Sequence, residues 1–292
     1  MRHRTAVTVV LLGATAGLLA ACAGGGRSGL NLQNVDISQL AQNLKGTFHE
    51  VTETEEIEIG DGVGETLLGA RPLENDLELQ RYVNTVGLWV ARQSERPNLP
   101  WHFGVNDSDT INAFATPGGN VIVTKGMIRV LRNESELAGV IGHEIGHVVR
   151  KHHLNAIRKN AAFGLVAQGL QIASQGSRNE SLVGALVGPT KELYAKGLDK
   201  SDEFEADRMG VVLAARAGYD PWGLPSALQT LASVNPDDNA VKLLFKTHPA
   251  PSARLEKLAV VMGTTFDAMA GGPPGTDRFD RATQRVRVVA AK

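Results

Sequence analysis

The chain has 292 residues, 42% of them hydrophobic, enough for one large domain or two small ones with a sizeable apolar core. Its 30 basic residues stand against 31 acidic ones, a formal net charge of −1, so there is no overall basic footprint for nucleic acid, and none is expected as a partner. A single cysteine excludes an internal disulfide framework.

The first segment reads as an export signal (residues 1–21) rather than as part of the fold. Arg2 and Arg4 precede a short apolar run, Val7 to Leu19, that ends in small residues. The run falls short of the roughly 20 apolar residues of a spanning helix, and Gly24 to Gly29 follow as a flexible tether. Leu19, Ala20, Ala21 and Cys22 resemble the lipobox of bacterial lipoproteins, which implies an acylated Cys22 and a tether over 22–30. An intermolecular bridge or a spectator thiol are the alternatives for that cysteine. Within the same resemblance, Ala23 implies sorting to the outer membrane, on its periplasmic face.

Residues 31–72 mix polar, acidic and apolar side chains with several glycines and show no single periodicity, as expected of a segment that wraps a domain. From Asn75 to Arg96, Leu77, Val83, Val86, Leu88 and Val90 recur near helical spacing, and Pro97 and Pro100 close that helix. Residues 101–105, 111–116 and 120–124 are short runs of aromatic and β-branched residues between turn signals, hence three strands. Asn133 with Glu136 forms a capping box, and Leu137, Val140, Ile141, Ile145, Val148 and Val149 continue it as an amphipathic helix. Residues 161–198 are apolar but interrupted by Gly164, Gly169, Gly176, Gly184 and Gly188, a pattern for a mobile hairpin or lid. Helices follow over about 201–217, ending at Gly218, over 222–232 after Pro221, and after Pro251; the tail beyond Gly271 takes no assignment.

The chemistry concentrates on the helix after Asn133. His143, Glu144, Ile145, Gly146 and His147 form an HExxH pattern, in which residues four apart share a helix face, so both imidazoles can meet one zinc ion. Glu144 projects to the side, where a carboxylate can take a proton from an attacking water. Catalytic zinc needs a third protein ligand. His153 has the spacing of one class of zinc peptidases, but Arg150 stands where that class has a turn glycine. The helix is then expected to run on, leaving His152 and His153 solvated or behind the ligands. Glu203 and Asp207, also four apart, are the better candidates: Glu203 for the metal, Asp207 to accept a hydrogen bond from a ligating imidazole.

The residues from about Leu73 to Leu258 resemble the M48 zinc metallopeptidases. The likeness rests on Asn112, Ala113, Phe114 and Ala115 with Pro117, Gly118 and Gly119, on His143 to His147, on Glu203 with Asp207, and on Thr247, His248, Pro249 and Arg254. It implies an α+β, zincin-like domain over 73–262, mostly helical, with a C-terminal tail over 263–292. One Zn2+ per chain would sit on His143, His147 and Glu203, with Glu144 as general base. It further implies that Asn112 to Ala115 form an edge strand that binds substrate by strand addition. A histidine at the position of His248 can approach the metal or the transition state, while Arg254 is expected as a buried anchor of the last helix. The implied function is a zinc endopeptidase of the cell envelope acting on misfolded or unassembled envelope proteins. The alternatives are a chaperone-like scaffold with a structural zinc, and a peptidase held latent by residues 161–198 or by His248.

Overall fold

The computed structural model describes residues 51–160, 194–269 and 275–288. The export signal, Cys22, its tether and most of the 161–198 stretch lie outside the described residues.

Helix α1 (Glu53–Ala70) opens with a full capping box: the Thr52 hydroxyl accepts from Glu55 N–H, and the Glu55 carboxylate accepts from Thr52 N–H at 2.9 Å. Its apolar pattern is hidden in the sequence because Gly60 stands where a core side chain would be expected. A Cβ there would lie 1.7 Å from the Pro117 carbonyl oxygen, so glycine lets α1 rest directly on the turn Pro117–Gly119. The buried Glu56 fixes that contact by accepting from Gly118 N–H at 3.3 Å, and it pairs with Arg96 at 2.7 Å and Lys151 at 3.2 Å. Helix α2 (Leu77–Ala91) starts where the Asp76 carboxylate accepts from Glu78 and Leu79 N–H, and it buries Leu79, Val83, Val86 and Val90.

Three strands follow, β1 (His102–Asn106), β2 (Ala113–Ala115) and β3 (Asn120–Thr124), in the spatial order β1-β3-β2. β1 pairs parallel with β3, and β2 pairs antiparallel with it, Phe114 opposite Ile122. The free side of β1 is occupied by α2: Gln80 donates to the Val105 carbonyl at 2.7 Å and accepts from Val105 N–H at 2.9 Å. The outer side of β2 is therefore the sheet's available edge. β2 is shorter than the run 111–116; just before it, Asn112 N–H donates to the Thr124 hydroxyl at 3.0 Å.

After α3 (Lys125–Val130) comes α4 (Glu134–Val149), the axis of the domain. It is not the amphipathic surface helix its pattern suggests, because every residue from Glu134 to Val148 is buried. Its polar residues have internal partners, as burial requires. Glu134 accepts from Tyr82 and Arg278, and Glu136 from Arg132 and Ser226. Asn133 caps Glu136 N–H as expected, but the Glu136 carboxylate reaches Arg132 N–H rather than closing the box.

The helix does not run on past Arg150. Lys151 takes φ 57°, the only positive φ among the described non-glycine residues, and a new helix, α5 (152–160), turns back. α6 (Lys200–Arg216) then crosses α4 in the most extensive helix contact among the described residues. The crossing is glycine-on-glycine: a Cβ on Gly142 would meet the Gly210 carbonyl oxygen at 2.9 Å, and one on Gly210 would meet His143 N at 2.8 Å. α7 (Gly223–Ala232), α8 (Lys242–Thr247) and α9 (Pro251–Met262) complete this side. The tail supplies α10 (Thr276–Val288), whose Phe279 is fully buried and whose Arg278 is paired with Glu134 at 2.6 Å. Both flanks of 73–262 thus contribute to the same fold, mostly helical with one small sheet, the α+β class expected. No described helix is long and apolar enough to cross a membrane.

Candidate active site

The α4–α6 crossing brings three side chains together at its centre. His143 Nε2 and His147 Nε2 face each other at 3.0 Å; Glu203 Oε2 lies 3.8 Å from the first and Glu203 Oε1 3.6 Å from the second. All three residues are buried. Their separations bracket the roughly 3.4 Å edge of a tetrahedron with bonds of about 2.1 Å, the geometry of a zinc site.

Hydrogen bonding among these groups alone leaves the cluster unsatisfied. His143 Nδ1 lies 2.9 Å from Asp207 Oδ1, so its proton belongs there and its Nε2 carries a bare lone pair. Glu203 Oε2 is buried without a hydrogen-bond partner. Two imidazole nitrogens and an orphan carboxylate oxygen converging in a dry site fit a divalent cation. Burial lowers both histidines below their ordinary value, which keeps them neutral as ligands must be, and it pushes Glu203 up to about 8 against the opposing Arg254 charge.

Asp207 is clamped from behind. Arg254 donates from Nε at 2.9 Å and from Nη2 at 2.5 Å, and both groups are buried. Burial alone would raise Asp207, but the Arg254 charge and the bonds from Arg254 and His143 outweigh it and hold the carboxyl well below the usual range. The expected anchoring by Arg254 is thus an ion pair that sets the orientation of His143.

Glu144 lies beside the same cluster, its carboxylate within 4.8 Å of ligand atoms of His143 and His248, and against the outer edge of β2. Ala115 N–H donates to its carboxylate; burial pushes Glu144 up to about 8 against Arg254 and that bond. Pairing at 112, 114 and 116 uses the inner side of the strand, so Ala113 and Ala115 turn their main-chain groups outward. A cavity of about 210 Å³ lies along this edge, lined by Asn112, Phe114, Glu144, His147, Glu203 and His248 among others. His248 enters from the end of α8, its Nε2 3.7 Å from Glu203 Oε2 and its Nδ1 2.9 Å from the Thr247 hydroxyl. Of the site residues read in the sequence, Asn112, Ala113, Phe114, Glu144, His147, Glu203 and His248 line this cavity; His143 adjoins His147, Asp207 lies behind His143, and Ala115 meets Glu144.

Two further contacts complete the surroundings, and the second matches the reading of His152 as a residue behind the ligands rather than a solvated one. Tyr194 donates to the outward carbonyl of Ala115 at 2.6 Å and stacks on His153. His152, turned inward by the Lys151 bend, places its Nδ1 3.0 Å from His147 Nδ1. No local spacing announces either one, since both depend on where the chain returns after α4.

Residues 77–261 match Peptidase family M48 over most of the described fold. The chain is 34% identical over 208 residues to the beta-barrel assembly-enhancing protease of Escherichia coli O157:H7, covering 69% of this chain and 42% of that protein. It is 31% identical over 170 residues to the mitochondrial metalloendopeptidase OMA1 of Arabidopsis thaliana, with 58% and 33% covered. It is 31% identical over 163 residues to the metalloprotease YcaL of Escherichia coli K12, with 54% and 61% covered. The chain thus spans under half the length of the first of these relatives. With the matched span running from α2 through α9 and enclosing both the histidine pair and Glu203, the chain belongs to peptidase family M48.

Proposed function

We propose that this chain is a zinc-dependent endopeptidase, with one Zn2+ held by His143, His147 and Glu203. The observation that carries the reading is the pair of bare imidazole nitrogens 3.0 Å apart beside an unpartnered buried carboxylate oxygen. When bound, zinc polarises the scissile carbonyl and acidifies a water. Glu144 takes a proton from the attacking water and delivers it to the departing amide nitrogen. The outer edge of β2, Asn112 to Ala115, holds the substrate main chain as an added strand, so binding depends little on side-chain sequence. Asp207 keeps the His143 proton on Nδ1, and His248 stands at the cavity wall where charge develops.

The substrates on this reading are misfolded or unassembled proteins of the bacterial envelope, with the chain held through a lipid on Cys22 at the periplasmic face of the outer membrane. The leader, the lipobox-like stretch and the names of the Escherichia coli relatives support it. The domain itself would run over 73–262, with 31–72 and 263–292 as its flanks.

The test is zinc per chain together with cleavage of unfolded casein by wild type and Glu144→Gln. The expected result is one zinc in both and a loss of cleavage of about 100- to 10,000-fold in the variant. Full zinc with equal behaviour of the two forms would favour a chaperone-like scaffold, and no zinc would overturn the reading.

A latent form of the enzyme is the second reading, favoured by Tyr194 occupying the Ala115 carbonyl that a substrate strand would use. Tyr194→Phe is then expected to raise basal casein cleavage several-fold; unchanged turnover would remove Tyr194 as a block.

A further inference from the structure

The two histidines of the candidate metal site are held in different ways. His143 hands its Nδ1 proton to a carboxylate, Asp207, itself fixed by Arg254. Among the described residues no carboxylate stands behind His147 Nδ1. Its Nδ1 meets the Nδ1 of His152 at 3.0 Å, and both rings are buried. The far nitrogen of His152, Nε2, lies 3.5 Å from Glu205 Oε2, and Glu205 is held in turn by Arg150 Nε at 2.9 Å.

Only one arrangement of protons suits this chain of groups. His147 Nε2 must be bare to face the site, so its proton is on Nδ1. His152 Nδ1 then has to accept, which puts the His152 proton on Nε2, toward Glu205. The opposite arrangement, with His152 donating from Nδ1, would move the His147 proton onto Nε2 and block the site.

The backbone is bent to make this contact. Lys151 sits at φ 57°, a conformation costing a non-glycine residue roughly 1–2 kcal/mol, and without that bend α4 would carry residue 152 away from His147. The Lys151 ammonium pairs with the buried Glu56 at 3.2 Å, which secures the bend against α1. Strain that persists beside a ligand and aims one ring nitrogen at another points to a role in the site.

We infer that His152, oriented by Glu205, is the positioning residue for His147: it accepts the Nδ1 proton and thereby fixes the tautomer and ring angle with which His147 meets the metal. This rests on the zinc site proposed above. It makes Glu205, rather than a spectator of the acidic run on α6, the counterpart of Asp207 on the other ligand.

The test measures zinc affinity of the full chain by chelator competition, independent of turnover. His152→Asn keeps an acceptor at the Nδ1 position, whereas His152→Leu fills the space without one. Leu is expected to weaken zinc binding about 10- to 100-fold and Asn to stay within a few-fold of wild type. Glu205→Gln, at a half-exposed position that leaves the core intact, is expected to weaken binding a few-fold, with no further loss when combined with His152→Leu. Long-range 15N-histidine spectra should show the His147 proton on Nδ1 in wild type. Equal affinities for wild type and Leu, equal losses in Asn and Leu, or a proton on His147 Nε2 would each overturn the positioning role. Wild type without zinc would instead overturn the site, and His147→Ala marks the level expected when a ligand itself is lost.

Discussion

Asp207 shows how much of this site is held by charge rather than by packing. Its carboxylate, buried and far below its ordinary range, sits between a guanidinium and an imidazole, and neither partner can leave without stranding the other. Arg254→Met should therefore destabilise the fold by about 3–5 kcal/mol in urea unfolding, the cost of an uncompensated buried charge. Adding Asp207→Asn to Arg254→Met should recover part of that loss, because the stranded charge is gone. A loss under about 1 kcal/mol for Arg254→Met would mean the clamp is not what orients Asp207. At this scale the sequence was informative, since the i, i+4 spacing of His143 with His147 and of Glu203 with Asp207 is a property of any helix. Glu205, on the same helix, shares no face with Glu203 and Asp207; it leaves the cavity and turns toward His152 behind the ligands.

At the scale of elements, the site is made by the crossing of α4 and α6, and the crossing is made by two glycines without room for a methyl group. Gly210→Ala raises helix propensity by about 1 kcal/mol, yet the added Cβ would press on the His143 backbone at 2.8 Å. A net destabilisation of about 1–3 kcal/mol is expected, read from the urea midpoint, together with weakened zinc binding as α6 shifts away from α4. A more stable variant would show that the helices have slack. Elements whose pattern repeats over several turns, α2, α4 and α6, could be read in advance. α1 could not, because its contact with Pro117–Gly119 demands a glycine where periodicity expects a side chain. Nor could the break after Arg150, which rests on a lysine in a conformation that composition does not favour there.

For the molecule as a whole, all three tyrosines of the chain, Tyr82, Tyr194 and Tyr219, are raised, first by burial and then by a nearby carboxylate, Glu134 or Glu144. A phenol raised in the folded state favours the protonated form, so its contribution is complete below the unfolded value near 10 and is lost as pH rises beyond it. Absorbance at 295 nm should accordingly show no phenolate near pH 10 while the protein stays folded, and all three should appear together with loss of circular dichroism at higher pH. A single tyrosine titrating near 10 in the folded protein would contradict the burial of that side chain. α10 had no legible signal beyond its alternating arginines and valines, yet it is fastened to the first residue of α4 through Arg278 and Glu134. That tie is a long-range charge pair between chain segments 144 residues apart, beyond the reach of local periodicity.

The brevity of β2 has a consequence for the protein's own solubility. An open strand edge is a template for any extended chain, including further copies of the same protein, and long flat edges seed aggregates. β2 runs for three residues and turns outward the main chain of only Ala113 and Ala115, one of which is engaged by Glu144 and Tyr194. A folded neighbour has too little edge to grip. An unfolded chain that also lays side chains along the cavity gains more, so the same strand discriminates against self-capture by its length alone.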